Sequence, residues 1–135
     1  MRLDQRLVDA AIAFVNKRFP GNAEEGAAAM YLKTGEIVTA TAIAVPSEQA
    51  SLCHETGAIC EAYARNLPIT ATVCVHRDAG GRFIILSACG ICQERLWHWG
   101  GEVEVAVPLD GDPTQWRAVS LKELSPYYWR KPFMR

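Results

Sequence analysis

Apolar positions recur at helical spacing near the start of the chain and then give way to strand-like patterns. The helical set predicts an amphipathic first helix that ends at the segment FPGN; it consists of Leu3, Leu7, Val8, Ala11, Phe14 and Val15. The apolar runs GAAAMYL and EIVTATAIAV then flank KTG, a turn signal. Two such runs around a turn predict a β-hairpin.

Helical and strand patterns alternate through the rest of the chain. The helix-like segment CHETGAICEAYARN begins at Cys53 and stops before Pro68, and the β-rich runs ITATVCVHR and RFIILS follow it. A further helical segment, GICQERLWHW, begins at Gly90 and precedes the alternating run EVEVAV. QWRAVS reads as a short strand and LKEL as a short closing helix. This order predicts one layered α/β domain with a mixed sheet.

Composition and charge narrow the class of protein. The chain has 135 residues, half of them hydrophobic, which suits one compact domain with a core that needs no disulfides. Lysine and arginine number 14 against 15 acidic residues, without a block of like charge, so we expect no nucleic-acid partner. The N-terminal segment is charged and no run approaches the ~18 apolar residues of a membrane span. We therefore expect a cytoplasmic protein without a membrane partner.

Two of the five cysteines, Cys89 and Cys92, form a C-x-x-C pair after the apolar run FIIL. Such a pair is typical of a dithiol redox centre, because a helix N-terminus lowers the pKa of the first thiol. It is also typical of a metal site. The pair lies late in the chain and Ala88, rather than an aromatic residue, precedes it. The metal site is therefore favoured over redox chemistry.

Cys53 is the best candidate for a third metal ligand, because it also stands where a helix is expected to begin after a loop. Cys60 lies seven residues later, about 10 Å further along the same helix axis, which is too far to share an ion with Cys53. Cys74 lies inside an apolar strand. We expect both Cys60 and Cys74 to be buried structural thiols.

Three thiolates leave one coordination position open, which is the pattern of a catalytic zinc site. His54 is not expected to be the fourth ligand, because adjacent helical residues diverge by about 100°. Glu55 stands two residues beyond Cys53, close enough to reach a water on the metal without binding the ion. A carboxylate placed there can accept a proton from that water and pass it on.

The segments CHE, ACGIC and EGAAAMYLKTGEIVTA, in this order, resemble the cytidine deaminase superfamily. The chain is most similar to small zinc-dependent cytidine or blasticidin S deaminase-like proteins, with which it shares a C-x-E-T-G-A-I helix start and a C-Q-E-R-L second helix. The resemblance covers nearly the whole chain. It implies a three-layer α/β/α fold with a mixed five-stranded sheet, formed by a single domain over residues 1–135.

The resemblance also implies an activity, namely hydrolysis of the 4-amino group of a cytosine nucleoside with release of ammonia, as in nucleoside metabolism and pyrimidine salvage. Cys53, Cys89 and Cys92 would hold one Zn²⁺ per subunit. Glu55 would carry a proton between water, ring N3 and the leaving amine, and backbone groups near His54 and Ser87 would hold the ring edge. The family further implies a homo-oligomer, either a tetramer or a dimer.

Departures from the family pattern concern the sugar and the charge balance. Ala42 and Ala44 stand where the family carries an asparagine and a glutamate that grip the ribose, and methyl groups cannot replace those hydrogen bonds. We therefore expect cytidine, deoxycytidine or an analogue with a changed sugar or N4 group. Thr56 stands where the family often has an arginine that contacts the thiolates. In this chain, either Arg95 or the helix N-termini would compensate the negative charge of the thiolates.

Three alternatives remain open from the sequence. One is a deaminase of blasticidin S-type nucleoside antibiotics, one is a catalytically lost zinc-binding module, and one is the dithiol redox protein. The aromatic tail SPYYWRKPF allows two roles, either capping the core or closing a site across subunits.

Overall fold

Six strands form a mixed sheet at the centre of the computed structural model, which describes residues 2–134. They are β1 (Glu25–Leu32), β2 (Ile37–Ala40), β3 (Ile69–Arg77), β4 (Phe83–Leu86), β5 (Glu104–Leu109) and β6 (Asp112–Ser120). The main order is β2-β1-β3-β5-β6, and β4 pairs with β3 outside that order. The mixed sheet is confirmed. The expected five strands are those of the main order, and β4 is an additional short one.

Within residues 2–134, four α-helices accompany the sheet in the predicted sequence order. They are α1 (Gln5–Arg18), α2 (Thr56–Ala64), α3 (Gly90–Leu96) and α4 (Leu121–Leu124), with 3₁₀ turns at Glu48–Ala50, Trp97–Trp99 and Lys131–Phe133. The described part of the chain holds no helix with the length and apolar character needed to cross a bilayer.

The sheet separates two hydrophobic cores, so the fold has three layers. In β1, alternate residues serve opposite faces because successive strand side chains point to opposite sides. Ala27, Ala29 and Tyr31 pack in the core that contains α1. Ala28, Met30 and Leu32 pack in the core that contains the buried residues of α2 and α3. Burial on both faces explains why β1 is apolar throughout instead of alternating.

Strand β3 has two different neighbours on the side away from β1. Its first half pairs parallel with β5 at Ala71 and Thr72. Its second half pairs antiparallel with β4, from Cys74 opposite Leu86 to Arg77 opposite Phe83. The last residue of β4 therefore lies beside the buried middle of β3, and α3 begins four residues further along the chain.

Asp4 connects α1 to the sheet. Its carboxylate accepts a hydrogen bond from the Leu7 backbone N–H at 3.1 Å, which caps the helix, and another from the Tyr31 hydroxyl at 2.8 Å. Tyr31 is fully buried in β1. One carboxylate thus satisfies both a helix end and a buried phenol.

Replacing this carboxylate should destabilise the protein measurably. We expect Asp4→Ala to lower the free energy of unfolding by about 2 kcal/mol, because it removes a helix cap and leaves a buried hydroxyl without its partner. Chemical denaturation monitored by circular dichroism measures the change. Asp9→Ala, on the exposed face of the same helix, is the matched control and should change stability by less than about 0.5 kcal/mol. Equal losses in the two variants would contradict the role of Asp4.

Candidate metal centre

Three thiols from two separate segments converge at one end of α2 and α3. The Sγ atoms of Cys53, Cys89 and Cys92 all lie within 4.8 Å of one another. The Sγ atoms of Cys53 and Cys89 are 3.1 Å apart although the residues are 36 positions apart in sequence. Neither of the other two cysteines, Cys60 and Cys74, belongs to this group of metal-ligating side chains in residues 2–134.

Local backbone structure places each of the three thiols. Cys53 lies in the turn before α2, where its carbonyl accepts a hydrogen bond from the Thr56 N–H at 3.1 Å. The helix thus begins at Thr56, three residues later than the sequence pattern indicates. Cys89 is the N-cap of α3, as expected, and its carbonyl accepts from the Gln93 N–H at 2.8 Å. Cys92 is fully buried in the first turn of that helix.

The donor set fits a zinc ion. Tetrahedral zinc at a Zn–S distance of ~2.3 Å requires sulfurs separated by about 3.8 Å. The Sγ atoms of Cys53 and Cys89 are 3.1 Å apart and no separation among the three exceeds 4.8 Å, so only small side-chain shifts would be needed to reach that value. Burial raises the pKa of Cys89, but hydrogen bonds from backbone N–H groups and from neighbouring thiols lower it below its ordinary value. Hydrogen bonding to Cys89 raises the pKa of Cys53, and burial raises that of Cys92. A bound cation would favour all three as thiolates.

Glu55 is a buried carboxyl beside these thiols. It is 4% exposed, and burial raises its pKa, opposed by a hydrogen bond from its own backbone, by the thiols of Cys74 and Cys92, and by the charge of Arg95. A carboxyl whose pKa is raised toward neutrality can both accept and donate a proton. The sequence position of Glu55 indicated this role, and the structure adds the burial that suits it.

A cavity of about 180 Å³ opens onto the thiols and the carboxyl. Its lining consists of Cys53, His54, Glu55, Cys74, Leu86, Ser87 and Cys89. Cys74 and Leu86 are the two members that sequence reasoning did not assign to the site. They are register partners on β3 and β4, a pairing that only the sheet reveals.

The expectations for the two remaining cysteines had different outcomes. Cys74 is buried, as expected, and burial raises the pKa of its thiol well above the ordinary value. The prediction that Cys60 is buried is wrong, because this residue is exposed. Helix α2 turns Ala58, Ile59 and Ala62 toward the core, and Cys60 falls on the opposite side of the helix.

His54 is held against the end of the β1–β2 hairpin. Its Nδ1 accepts a hydrogen bond from the Ala42 backbone N–H at 3.0 Å and lies 3.4 Å from the Thr41 hydroxyl oxygen. Burial, and then the nearby His76, lower its pKa, which favours the neutral ring. Ala42 thus contacts the lining residue His54 through its backbone, and neither Ala42 nor Ala44 is among the described residues that line the cavity.

Arg95 brings a positive charge to the edge of this centre. Its Nη1 donates to the Thr56 hydroxyl at 2.9 Å, and its charge lowers the pKa of Glu55. An arginine from α3 therefore contacts the residue that follows Glu55 in the chain.

Comparison with known proteins finds similar chains among solved structures. No family model and no curated protein matches the chain. The crystal structure of the cytidine deaminase from Bacillus anthracis is 37% identical, with 96% of this chain and 91% of that one covered and a TM-score of 0.86. Cytidine deaminases from Mycobacterium leprae (23% identity, 90% and 96% covered, TM-score 0.67) and Burkholderia pseudomallei (21%, 93% and 98%, 0.70) share the fold.

The Bacillus anthracis enzyme is similar over nearly the full length of both chains, at an identity that indicates common descent rather than a shared fold alone. The sequence resemblance carried by CHE and ACGIC is confirmed by this match. The chain belongs to the cytidine deaminase superfamily.

Proposed function

We propose that this protein, as a single domain over residues 1–135, is a zinc-dependent hydrolase that removes the 4-amino group of a cytosine nucleoside. The observation that carries the proposal is the buried Glu55 carboxyl beside three convergent thiols at one small cavity. The similarity to the cytidine deaminase from Bacillus anthracis supports the same reaction. The products are ammonia and the uracil form of the nucleoside.

Cys53, Cys89 and Cys92 would hold one Zn²⁺ per subunit, with one coordination position left open. When bound, zinc supplies a Lewis acid that lowers the pKa of a coordinated water. The side chain of Arg95, hydrogen-bonded to Thr56, brings positive charge toward a site that would contain three thiolates and a carboxylate.

Glu55 performs the proton transfers in this proposal. Its carboxylate accepts a proton from the attacking water and delivers it to ring N3 as the oxygen bonds to C4. It then takes the remaining proton from the C4 hydroxyl and passes it to the amine, so that the C4–N bond breaks, the C4 carbonyl forms and ammonia leaves. Burial suits the side chain to this exchange because it brings the carboxyl pKa closer to neutral pH. Backbone groups near His54 and Ser87, which both line the cavity, would hold the edge of the ring.

The nucleoside is either cytidine, deoxycytidine or an analogue with a changed sugar or N4 group. Ala42 and Ala44 offer only methyl side chains, so we infer that cytidine itself is not the optimal substrate. Because the methyl side chains of Ala42 and Ala44 cannot bind ribose hydroxyls, a nucleoside antibiotic of the blasticidin S type is the second candidate substrate. A kcat/KM for cytidine near the diffusional ceiling of about 10⁸ M⁻¹s⁻¹ would contradict this inference.

Removing the Glu55 carboxylate should greatly slow turnover without loss of bound zinc. We expect Glu55→Gln to reduce ammonia release by about 10²- to 10⁴-fold, because proton transfer loses its carrier. The assay uses zinc-loaded protein with cytidine, deoxycytidine, N4-substituted cytidines and blasticidin S.

Glu61→Gln is the matched control, since this carboxylate is exposed on α2 and pairs with Arg65. Activity in Glu61→Gln should equal that of the wild type. If the zinc-loaded wild type were inactive on every compound, that result would contradict the proposed deaminase activity and favour a zinc-binding module.

The three convergent cysteines should control zinc content, and the exposed one should not. We expect one zinc per chain in the wild type and in Cys60→Ser, and a loss of at least tenfold in zinc affinity in Cys53→Ser and Cys92→Ser, because a hydroxyl is a poor substitute for a thiolate. Elemental analysis after competition with a chelator measures the affinity.

Equal zinc affinity in the Cys53→Ser and Cys60→Ser variants would exclude Cys53, Cys89 and Cys92 as the set of zinc ligands. A Cys89–Cys92 disulfide in native, metal-free protein would instead favour the redox alternative.

A homo-oligomer, either a dimer or a tetramer, is the proposed assembly. Large apolar side chains stand exposed in the tail and on the helical face, among them Tyr63, Ile91, Tyr127, Trp129 and Phe133. Within the tail, Tyr128 stacks on Trp97 with ring centroids 4.1 Å apart, so one side of the tail covers the helical layer. Because large exposed apolar patches mark interaction sites, we infer that these side chains contribute to an interface between subunits.

Analytical ultracentrifugation should therefore measure the mass of a dimer or tetramer of the 14.9 kDa chain. We expect the double change Tyr127→Ser and Phe133→Ser to shift the protein toward monomer, because it removes apolar contact area from the tail. Lys17→Ser, an exposed change on α1, should leave the assembly intact. A wild type that is monomeric at micromolar concentration would refute the assembly.

A further inference from the structure

We propose that Gln93 is a positioning residue whose side-chain amide holds the backbone between Ser87 and Cys89 in place and so fixes the Cys89 thiol. The inference rests on the proposed function, because it names a residue that acts on the same metal centre without being one of its ligands. Three observations carry it: the two hydrogen bonds of the amide, the place of its partner Ala88 in the chain, and the anchoring of Ser125 and of α3.

The side-chain amide of Gln93 connects two segments of the chain. Its Nε2 donates to the Ala88 carbonyl at 2.7 Å, and its Oε1 accepts from the Ser125 hydroxyl at 2.7 Å. A carbonyl can only accept, so the NH₂ end of the amide must face Ala88 and its oxygen must face Ser125. The backbone N–H of Gln93 also donates to the Cys89 carbonyl at 2.8 Å. One residue therefore binds two consecutive carbonyls of the segment that carries the first thiol of the C-x-x-C pair.

Ala88 lies between two groups of the site. Residues 87–89 stand between β4 and α3 and belong to neither element, so a side chain rather than regular backbone pairing binds the Ala88 carbonyl. On either side of it, Ser87 lines the cavity and Cys89 contributes a thiol. Because the peptide bond is planar, the direction of this carbonyl sets the direction of the Cys89 N–Cα bond. A side chain that binds the carbonyl therefore helps to fix where the Cys89 thiol lies.

Ser125 presents its hydroxyl from an anchored element. It directly follows α4, and its backbone N–H donates to the Leu121 carbonyl at 2.8 Å. Leu121 is fully buried and belongs to the same core as Cys92 and Leu96 of α3. The hydroxyl that binds Gln93 is thus held in place by the hydrophobic core.

The C-terminal segment also binds the next residue of α3. The Tyr128 hydroxyl and the Trp129 Nε1–H both donate to Oε1 of Glu94, each at 3.1 Å. Since Gln93 and Glu94 are consecutive, the segment after α4 contacts α3 at two neighbouring side chains, about one turn beyond Cys89. These contacts keep α3 where the Gln93 amide reaches Ala88.

An amide suits this role because it donates at one end and accepts at the other. A glutamate of the same shape could accept from Ser125 but has no donor for the Ala88 carbonyl when ionised, and a methionine has no donor either. Removing a side chain that orients a metal ligand typically lowers metal affinity or activity by about 10- to 100-fold. We therefore expect loss of this amide to displace the Cys89 thiol and to weaken zinc binding.

Zinc binding by variants at position 93 tests the proposal. We expect Gln93→Met, which keeps the length of the side chain without its donor, to lower zinc affinity by about tenfold, and Gln93→Glu to lower it at least as much. Competition with a chelator measures the affinity. Gln115→Glu, an exposed change on β6, is the matched control and should bind zinc like the wild type. A zinc affinity within about twofold of the wild type in both position-93 variants overturns the proposal.

Cobalt spectroscopy separates positioning from a general loss of stability. Co²⁺ bound in place of zinc absorbs visible light according to its coordination geometry, so a displaced thiol changes the spectrum. We expect a changed spectrum in Gln93→Met that still unfolds cooperatively, and the wild-type spectrum in Gln115→Glu. A wild-type Co²⁺ spectrum in folded Gln93→Met overturns the proposal, because Gln93 would then stabilise the fold without positioning Cys89.

Ser125→Ala removes the partner of Oε1 and keeps the bond from Gln93 to Ala88. It should lower zinc affinity by about threefold, less than Gln93→Met does, and shift the Co²⁺ spectrum in the same direction. If Gln93→Met does not fold, this variant decides the question. A wild-type zinc affinity together with a wild-type Co²⁺ spectrum in Ser125→Ala then overturns the proposal.

The same measurements distinguish this inference from the proposed function. A wild type that binds Co²⁺ but releases ammonia from no nucleoside contradicts the deaminase, whereas a changed spectrum in Gln93→Met still supports the role of Gln93. A wild type that binds neither Zn²⁺ nor Co²⁺ overturns both.

Discussion

The hydrogen-bond ladder of β3 is the interaction on which the site depends. This strand pairs with β1 along one edge, and on the other edge with β5 through its first half and with β4 through its second half. Because Leu86 at the end of β4 lies opposite Cys74, the segment that carries Cys89 and Cys92 emerges beside the turn that carries Cys53. A register slip of one residue would turn Cys74 away from the cavity and move both cysteines of α3.

Burial disfavours the charged forms of the carboxyl and thiol groups at the metal centre. Desolvation raises the pKa of Glu55 and of Cys92, so the protein surroundings favour their protonated forms. Only the thiol of Cys89, at the start of α3, has its pKa lowered, by hydrogen bonds that outweigh its burial. A divalent cation would stabilise the thiolates that burial disfavours, while leaving the carboxyl able to exchange a proton. The same low polarity would strengthen the attraction between a bound cation and the thiolates, and it would suit the carboxyl to proton exchange.

Sequence reasoning succeeded where a pattern is local. The α1 periodicity, the β1–β2 hairpin and the α/β order are all confirmed, because each depends on residues within a few turns or one hairpin. It failed where a boundary or an orientation depends on neighbours. Helix α2 begins at Thr56 rather than Cys53, because the preceding residues form a turn, and Cys60 is exposed, because α2 directs its other side toward the core. The run RFIILS was identified as β-rich, but only the structure shows that it adds a sixth strand, β4, which pairs with the second half of β3 beyond the residues that pair with β5.

The sequence by itself determined the superfamily, the layered fold and the close spacing of Cys89 and Cys92, since residue type and short-range periodicity suffice for these. The tertiary structure alone decided that the thiols of Cys53 and Cys89 meet across 36 residues, and that His54 settles between Ala42 and Gly26. Those contacts join separate elements, and their geometry follows from strand register and layer packing. No local pattern encodes where two such elements approach each other.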